Sequence, residues 1–247
     1  MKTLLLDIET TPNLAHVWGL WNANVAINQI VAPTQVLCVA ARFMGEDEMH
    51  FHSVHHDGRE DMLRAVHALM SAADAIITYN GRNFDIKHLN REFLEAGMTP
   101  PAPSKQIDLY AVVKRQFKFP SNKLDYVARA LGIGAKVAHS GHELWVRCMA
   151  GDDAAWEEMR RYNEQDVNLL EELYRRLLPW IPNHPNVALY AGNENPACPN
   201  CGSENLRREG HAYTRTGKYQ RYQCRDCGTW SQDGSRVAAN PIRQVVQ

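Results

Sequence analysis

Two acids stand side by side near the start of the chain, in Leu4-Leu-Leu-Asp7-Ile-Glu9-Thr10. An apolar run followed by Asp-x-Glu reads as a buried strand. Side chains alternate along a strand, so Asp7 and Glu9 leave the same face. Two carboxylates about 4 Å apart repel by on the order of 4 kcal/mol at an effective dielectric near 20. A shared proton or a divalent cation relieves that repulsion; a strand end that simply meets water at Asp7 is the plainer reading. Two further patterns supply acids. Asn80-x-x-x-Phe84-Asp85 falls at a strand-to-helix junction, where a carboxylate can face the carboxyl end of an open α/β sheet, the usual ligand edge. Tyr162-Asn-Glu-Gln-Asp166 falls on a long helix. Residues i and i+4 share a helix face, so this hydroxyl and this carboxylate point the same way.

Asp166 lies beside the apolar stripe Met159, Leu169, Leu170, Leu173 and Leu177. A carboxylate in that position needs a counter-charge. Asp7, Glu9, Asp85 and Asp166 together carry four negative charges, which two divalent cations balance, and an all-oxygen ligand set suits Mg²⁺ or Mn²⁺. Two such ions roughly 3.5–4 Å apart are the common clamp for in-line phosphodiester cleavage.

A second chemistry sits near the other end. Cys198-Pro-Asn-Cys201-Gly and Cys224-Arg-Asp-Cys227-Gly are two tight knuckles, each with a glycine that permits the turn. Four thiolates close a tetrahedral structural Zn²⁺ site; an iron–sulfur cluster is the alternative. So short a segment buries little core, and metal binding, worth about 10–16 kcal/mol apparent, supplies its folding energy. Arg207, Arg208, Arg215, Lys218 and Arg221 alternate with Tyr213, Tyr219 and Tyr222 between the knuckles. That pattern suits phosphate contact and base stacking on two short strands, or it only keeps a small ribbon soluble. Paired knuckles fit a reducing compartment better than disulfides do.

The elements that must position these groups follow from periodicity. Strands are expected over residues 2–10, 36–43, 48–54 and 75–79, the second and third forming a hairpin. Helices are expected at about 59–72, capped by Asp57-Gly58, after Asn80-Gly81, and from Asp108 to about Lys118. Another follows Ser121 as its cap, and a long one runs over about 154–178 with Asp152 or Asp153 at its start. Residues 11–33 and 135–150 resist assignment; Trp18 and Trp21 in the first either cover a core edge or line a groove where bases stack. His50, His52, His55 and His56 cluster, but without a matching ligand set nearby they read as a solvent-facing strand end. The order is that of an α/β fold with a mixed sheet flanked by helices. The expected division is a catalytic domain over residues 1–180, a proline- and asparagine-rich linker over 181–197, a ribbon over 198–234 and a flexible tail over 235–247.

Charge is divided accordingly. The 247-residue chain has a net charge of −1, yet residues 198–247 carry eight Lys or Arg against four Asp or Glu, leaving an acidic body and a basic tail. That asymmetry suggests two jobs. No apolar stretch reaches the ~20 residues of a membrane span, and Met1-Lys-Thr is no signal-peptide start, so a cytoplasmic protein is expected.

The three acidic patterns, taken together and in order, resemble the three motifs of the DEDD 3′–5′ exonucleases, which have an RNase H-like fold. Tyr162-x-x-x-Asp166 resembles the tyrosine subclass; Arg161 stands where the other subclass has histidine. The Asn80–Asp85 spacing is similar to that in proofreading domains of family B DNA polymerases and in stand-alone bacterial and phage relatives. Lys105-Gln-Ile-Asp108-Leu and Lys123 to Gly132 also resemble segments of that family, and the resemblance covers about residues 1–178. It implies that Asp7, Glu9, Asp85 and Asp166 hold two Mg²⁺ or Mn²⁺ ions and that Tyr162 orients the attacking water. It implies nucleic-acid contacts from Thr10, Asn80 and Phe84, the last with core packing as its alternative, and a structural part for Asp108. The segment 11–33 departs from the family's compact pattern. The ribbon resembles those beside other DNA-acting enzymes. The implied protein is a two-metal 3′–5′ exonuclease with one structural Zn²⁺, acting on DNA in preference to RNA, with a separate polymerase or another replication or repair protein as a candidate partner. An RNase H-like endonuclease and a non-catalytic nucleic-acid-binding protein are the rivals.

Overall fold

The computed structural model describes residues 1–21, 24–192 and 195–242. Asn22 in the unassigned segment, Asn193 in the expected linker, and Arg243 with the rest of the tail's end lie outside the described residues. The chain packs as two units, Lys2–Tyr174 and Arg175–Gln247 joined by Met1.

The first unit is organised on β1 (Thr3–Thr10). Leu4, Leu5 and Leu6 are all fully buried, which requires cover on both faces of the sheet and makes β1 a central strand. A small hairpin, β2 (Leu14–Ala15) and β3 (Ile30–Ala32), interrupts the chain before β4 (Val36–Phe43) returns antiparallel along β1. The edge strand β5 (His50–Ser53) completes the expected hairpin with β4. Then come α1 (Arg59–Ser71), β6 (Ala75–Thr78), parallel to β1, and α2 (Asp85–Glu95).

Lys105–Asp108, where no strand was expected, forms β7, parallel to β6, and leads directly into the expected helix, so the five-stranded mixed sheet has the order β5-β4-β1-β6-β7. Four helices follow: α3 (Leu109–Gln116), α4 (Leu124–Ala130), α5 (His142–Met149) and α6 (Asp153–Leu177). The helix α5 lies within the stretch left unassigned from sequence.

Alternation sends one face of β1 into the larger core. Leu4, Leu6 and Ile8 pack with Met62, Leu63 and Val66 of α1 and Leu89 and Phe93 of α2. A second cluster joins Leu37 and Cys38 of β4 to Leu144 and Cys148 of α5 and to Trp156, Met159 and Tyr162 of α6. Glu92, fully buried on α2, pairs with Arg59 and Arg91 and accepts the Val36 amide at 3.1 Å. The charge is thus compensated while the helix is fastened to the start of β4.

Some local expectations change. Asp57 does not cap α1; Gly58 holds that position at φ 75° and the Asp57 carboxylate accepts the Ser53 amide. Ser121 accepts the amide of Lys123, and Lys123 itself is the residue preceding α4. Asp152 does cap α6, accepting the amides of Ala154 and Ala155. The histidines find local partners: His55 meets Asp153 at 2.9 Å and stacks on Trp156, and His56 meets the Ser53 hydroxyl.

In the second unit a short helix, α7 (Ala188–Ala191), lies in the expected linker. It precedes β8 (Leu206–Tyr213), β9 (Gly217–Cys224) and β10 (Trp230–Ala239), an antiparallel sheet of order β10-β9-β8. A third strand joins the two expected, and β10 continues through Ala239 into the segment read as tail. No helix among the described residues is long and apolar enough to cross a membrane.

Candidate active site

Asp7 and Glu9 project from the same face of β1, as their spacing requires, and that face meets α6. They stand opposite Ala40 and Cys38 of β4, and the pairing register shifts between Glu9 and Thr10. Such a bulge ends regular pairing and re-aims the chain just past the acids. From α6, Asp166 brings its carboxylate to the same place: one oxygen from each of Asp7, Glu9 and Asp166 lies within 4.8 Å of the others. Asn163, fully buried on the same helix, donates its side-chain amide to Asp7 at 2.7 Å.

Asp85 reaches the site's electrostatics from another direction. It is buried as the first residue of α2, and its charge raises the pKa of both Asp7 and Glu9. It is not one of the three carboxylates that meet within 4.8 Å. Its placement depends on the preceding turn. Asn80 adopts φ 68°, and a Cβ on Gly81 would fall 2.3 Å from the Thr78 hydroxyl, so only glycine fits there. Asp108 fixes this turn. Its carboxylate accepts the Asn80 amide at 2.9 Å and the Arg82 amide at 3.3 Å while capping α3 through Tyr110 and Ala111. The part found for Asp108 is structural.

Lys136 was not singled out in the sequence. Its ammonium forms an ion pair with Asp166 and donates to the Tyr162 hydroxyl at 2.9 Å. It therefore supplies the counter-charge that the burial of Asp166 calls for. No local spacing connects Lys136 to Asp166, and it sits in the stretch that resisted assignment. His139, also unflagged, sets its ring edge-on to Tyr162 with centroids 4.7 Å apart.

The electrostatics reflect crowding. Desolvation, then the charges of Asp166, Asp85 and Glu9, hold Asp7 well above the usual carboxylate range, against a lowering by Lys136. Desolvation pushes Glu9 up to about 8, with Lys136 opposing and Asp166 and Asp85 adding. Asp85 is raised to about 7 by burial, against the pull of its own amide and that of Ile8. Burial raises Asp166 too, with Lys136 opposing. Burial would lower Lys136, but Asp166 and Tyr162 raise it, so it stays charged. The Tyr162 hydroxyl is pushed up to about 12 by burial and then by Asp166, and it remains a neutral donor. One Asp166 oxygen, Oδ1, is buried without a hydrogen-bond partner. Crowded acids beside an oxygen with spare acceptor capacity fit a divalent cation.

A cleft of about 580 Å³ opens beside the acids, lined by Asp7, Tyr79, Asn80, Tyr110, Lys123 and Lys136 among others. Asn80 thus borders the site. Thr10 is half-buried at the end of β1. Phe84 is 39% exposed and rests edge-on against His88, so core packing does not account for it.

In the second unit, ligand sulfurs of Cys198, Cys201, Cys224 and Cys227 all lie within 4.8 Å of one another. The Cys198–Cys227 and Cys201–Cys224 sulfur separations are both 3.6 Å, close to the ~3.8 Å edge of a tetrahedron with ~2.3 Å Zn–S bonds. Gly202 and Gly228 have φ of 77° and 81° and return their amides to the Cys198 and Cys224 carbonyls. The cationic face is partly committed to the ribbon itself. Arg207 pairs with Glu209, Arg221 lies over the Trp230 ring and Lys218 lies over Tyr213. Arg208 and Arg215 are exposed.

A mixed sheet with acids at the end of its central strand, facing a long helix that carries a further acid, defines an RNase H-like protein. The chain belongs to the RNase H superfamily, whose family model matches residues 4–178. It is similar in structure to the family B DNA polymerase of the hyperthermophilic archaeon Pyrobaculum calidifontis, with a TM-score of 0.55 and 18% identity. The match covers 72% of this chain and 24% of the polymerase, so the protein corresponds to about a quarter of that enzyme's length. No curated protein matches the sequence.

Proposed function

We propose that this protein is a metal-dependent nuclease that removes nucleotides from the 3′ end of a nucleic-acid strand, DNA in preference to RNA. The observation that carries this reading is the meeting of Asp7, Glu9 and Asp166 carboxylates within 4.8 Å, beside Tyr162. Membership of the RNase H superfamily supports a nuclease. The order of the acidic motifs, which resembles that of the DEDD tyrosine subclass, supports the 3′–5′ direction.

Two Mg²⁺ or Mn²⁺ ions bound by Asp7, Glu9, Asp85 and Asp166 would supply an activated water and charge stabilisation for the leaving 3′ oxygen. The remaining parts belong to the chain itself. Tyr162 keeps its proton and offers a fixed hydroxyl to orient the attacking water. Lys136 positions that hydroxyl and keeps a cation beside the phosphate. Asn163 holds Asp7 in one orientation. Asn80 borders the cleft where the terminal nucleotide would sit, and Thr10 and Phe84 are candidate contacts. In the second unit, one Zn²⁺ on the four cysteines would hold the ribbon. Its cations, Arg208 and Arg215 foremost, would add affinity that does not depend on sequence. A separate polymerase or another replication or repair protein is the candidate protein partner.

The test uses a 5′-labelled single-stranded DNA oligonucleotide with Mn²⁺. Stepwise shortening, absent in EDTA and in Asp7→Ala, is the expected result. Scattered internal cuts, or cleavage of a circular strand, would replace this reading with an endonuclease. No cleavage of DNA or RNA, single or double stranded, would leave a nucleic-acid-binding protein.

A further inference from the structure

From Thr10 to Ala41 the chain contains no Asp, Glu, Lys or Arg, although such residues make up 22% of the whole. A charge-free run of this length is expected to be buried. Its second half is, as β4. Its first half is not: Trp18 is 102% exposed, Ile27 89%, and Leu20 and Trp21 88% each. The tryptophans therefore do not cover a core edge.

The segment is nevertheless tied down. Its base is closed by the Thr11 amide to the Gln35 carbonyl and by the Gln35 amide to the Thr11 hydroxyl, both at 2.8 Å. Asn13 accepts the Thr34 amide, and Gln29 bridges the His16 carbonyl and the Ala26 amide. With β2 paired to β3, these bonds make an arm that springs from β1 directly after Glu9 and Thr10. Singly exposed apolar residues need no explanation, but a contiguous group marks a binding surface. Val17, Trp18 and Trp21 border a concavity of about 410 Å³ together with Asn24, Asn28 and Gln29. Flat aromatic rings beside side-chain amides match unpaired nucleobases, which offer a π-face to stack and edges to hydrogen-bond. The arm's lack of cations means that it would hold bases and leave phosphates to other groups.

We propose that this arm is a base-stacking platform for a single strand whose 3′ end lies at the acids. This rests on the nuclease reading and adds a second place where substrate is held. Trp18 lies nine positions beyond Glu9, at most about 32 Å of chain, or roughly nine nucleotides at about 3.4 Å each. The platform therefore engages nucleotides within that distance of the scissile bond. The ring-and-amide lining of the concavity and the arm's attachment directly after Glu9 and Thr10 favour the strand as its occupant.

The test measures binding of a fluorescent 20-nucleotide oligothymidylate to the zinc-loaded wild type and to Trp18→Ala/Trp21→Ala in buffer without Mg²⁺ or Mn²⁺, at several salt concentrations. Each stack is worth about 1–3 kcal/mol, so at least a tenfold loss is expected, with an unchanged slope of log affinity against log salt. Trp18→Phe/Trp21→Phe should restore most of it. An affinity equal to wild type would overturn the proposal. So would a variant that melts well below wild type, which would make the arm structural. Sedimentation showing that the substitutions only separate a dimer, with oligonucleotide affinity intact, would assign the arm to a second copy instead. Because binding is read without cleavage, a wild-type protein that binds through the arm but cuts nothing in Mn²⁺ would sink the nuclease reading and leave the platform standing.

Discussion

Asn163 donates its side-chain amide to the Asp7 carboxylate at 2.7 Å, across 156 residues of sequence. This bond joins the long helix α6 to the central strand β1 where the acids converge. It uses one lone pair of Asp7 and fixes the orientation of the carboxylate. The helix that delivers Tyr162 and Asp166 thus also aims the first acid. Asn163→Ala should lower metal affinity or cleavage by about 10–100-fold, the range for a partner that orients a ligand. Asn163→Asp should be worse, because it adds a negative charge. Metal titration by calorimetry, alongside the nuclease assay, checks both; an unaffected Asn163→Ala would show that β1 alone aims Asp7.

Lys136 stands where positive charge is most needed when no cation is bound. Replacing one partner of a largely buried ion pair typically costs about 3–5 kcal/mol. Here the lysine keeps 29% exposure and Asp166 only 2%, so Lys136→Met should cost on the order of 2 kcal/mol in buffer without Mg²⁺ or Mn²⁺, less than a fully buried pair. Mn²⁺ should narrow that gap by supplying the missing charge. Thermal melts of both proteins with and without Mn²⁺ decide it. A gap that persists with the ion would mean that Lys136 and the cation do not share this task.

The four acids predict an inverted pH response for the metal-free protein. Glu9 rises from 4.5 to about 8 and Asp85 from 3.8 to about 7, with Asp7 and Asp166 also raised. The folded state therefore binds more protons than the unfolded one above about pH 4. Stability is fully present below the unfolded values and is lost as pH rises through 7 to 8. Without Mg²⁺ or Mn²⁺ the melting temperature of the first unit should fall by several degrees between pH 5 and pH 8.5, and Asp166→Asn should flatten the trend. A melting temperature that climbs over this range would contradict the crowding of these carboxylates.

The four cysteines predict a metal-dependent second unit. The purified protein should carry one equivalent of zinc, and Cys201→Ser should lose it. Chelation should expose residues 198–239 to trypsin while Lys2–Tyr174 keeps its resistance, because the two units pack separately. Mass spectrometry of the digest, with zinc measured in parallel, reads both effects. Equal resistance with and without zinc would show that the three-stranded sheet holds without its metal.

Much of the candidate site was legible because its geometry is local. Asp7 and Glu9 share a face by the two-residue period of a strand. Tyr162 and Asp166 share one by the helical period. The knuckle cysteines are brought together within each C-x-x-C by a short turn. Burial of the long helix's stripe even showed that Asp166 needed a counter-charge. What remained hidden was long-range. The strand β7 before the expected helix was hidden because four residues carry little periodicity, and its pairing with β6 decides the matter. Asn163 stood inside a quoted motif without a role, since its partner is on another element. Lys136 lay in an unassigned loop, and the tryptophans of the arm had the composition of a core edge. Sequence periodicity thus determined which side chains share a face, because backbone geometry repeats over a few residues. Only the tertiary structure decided which faces meet, which cation answers Asp166 and which aromatic rings are left to solvent. Those outcomes depend on sheet order and loop paths set by packing across the whole chain.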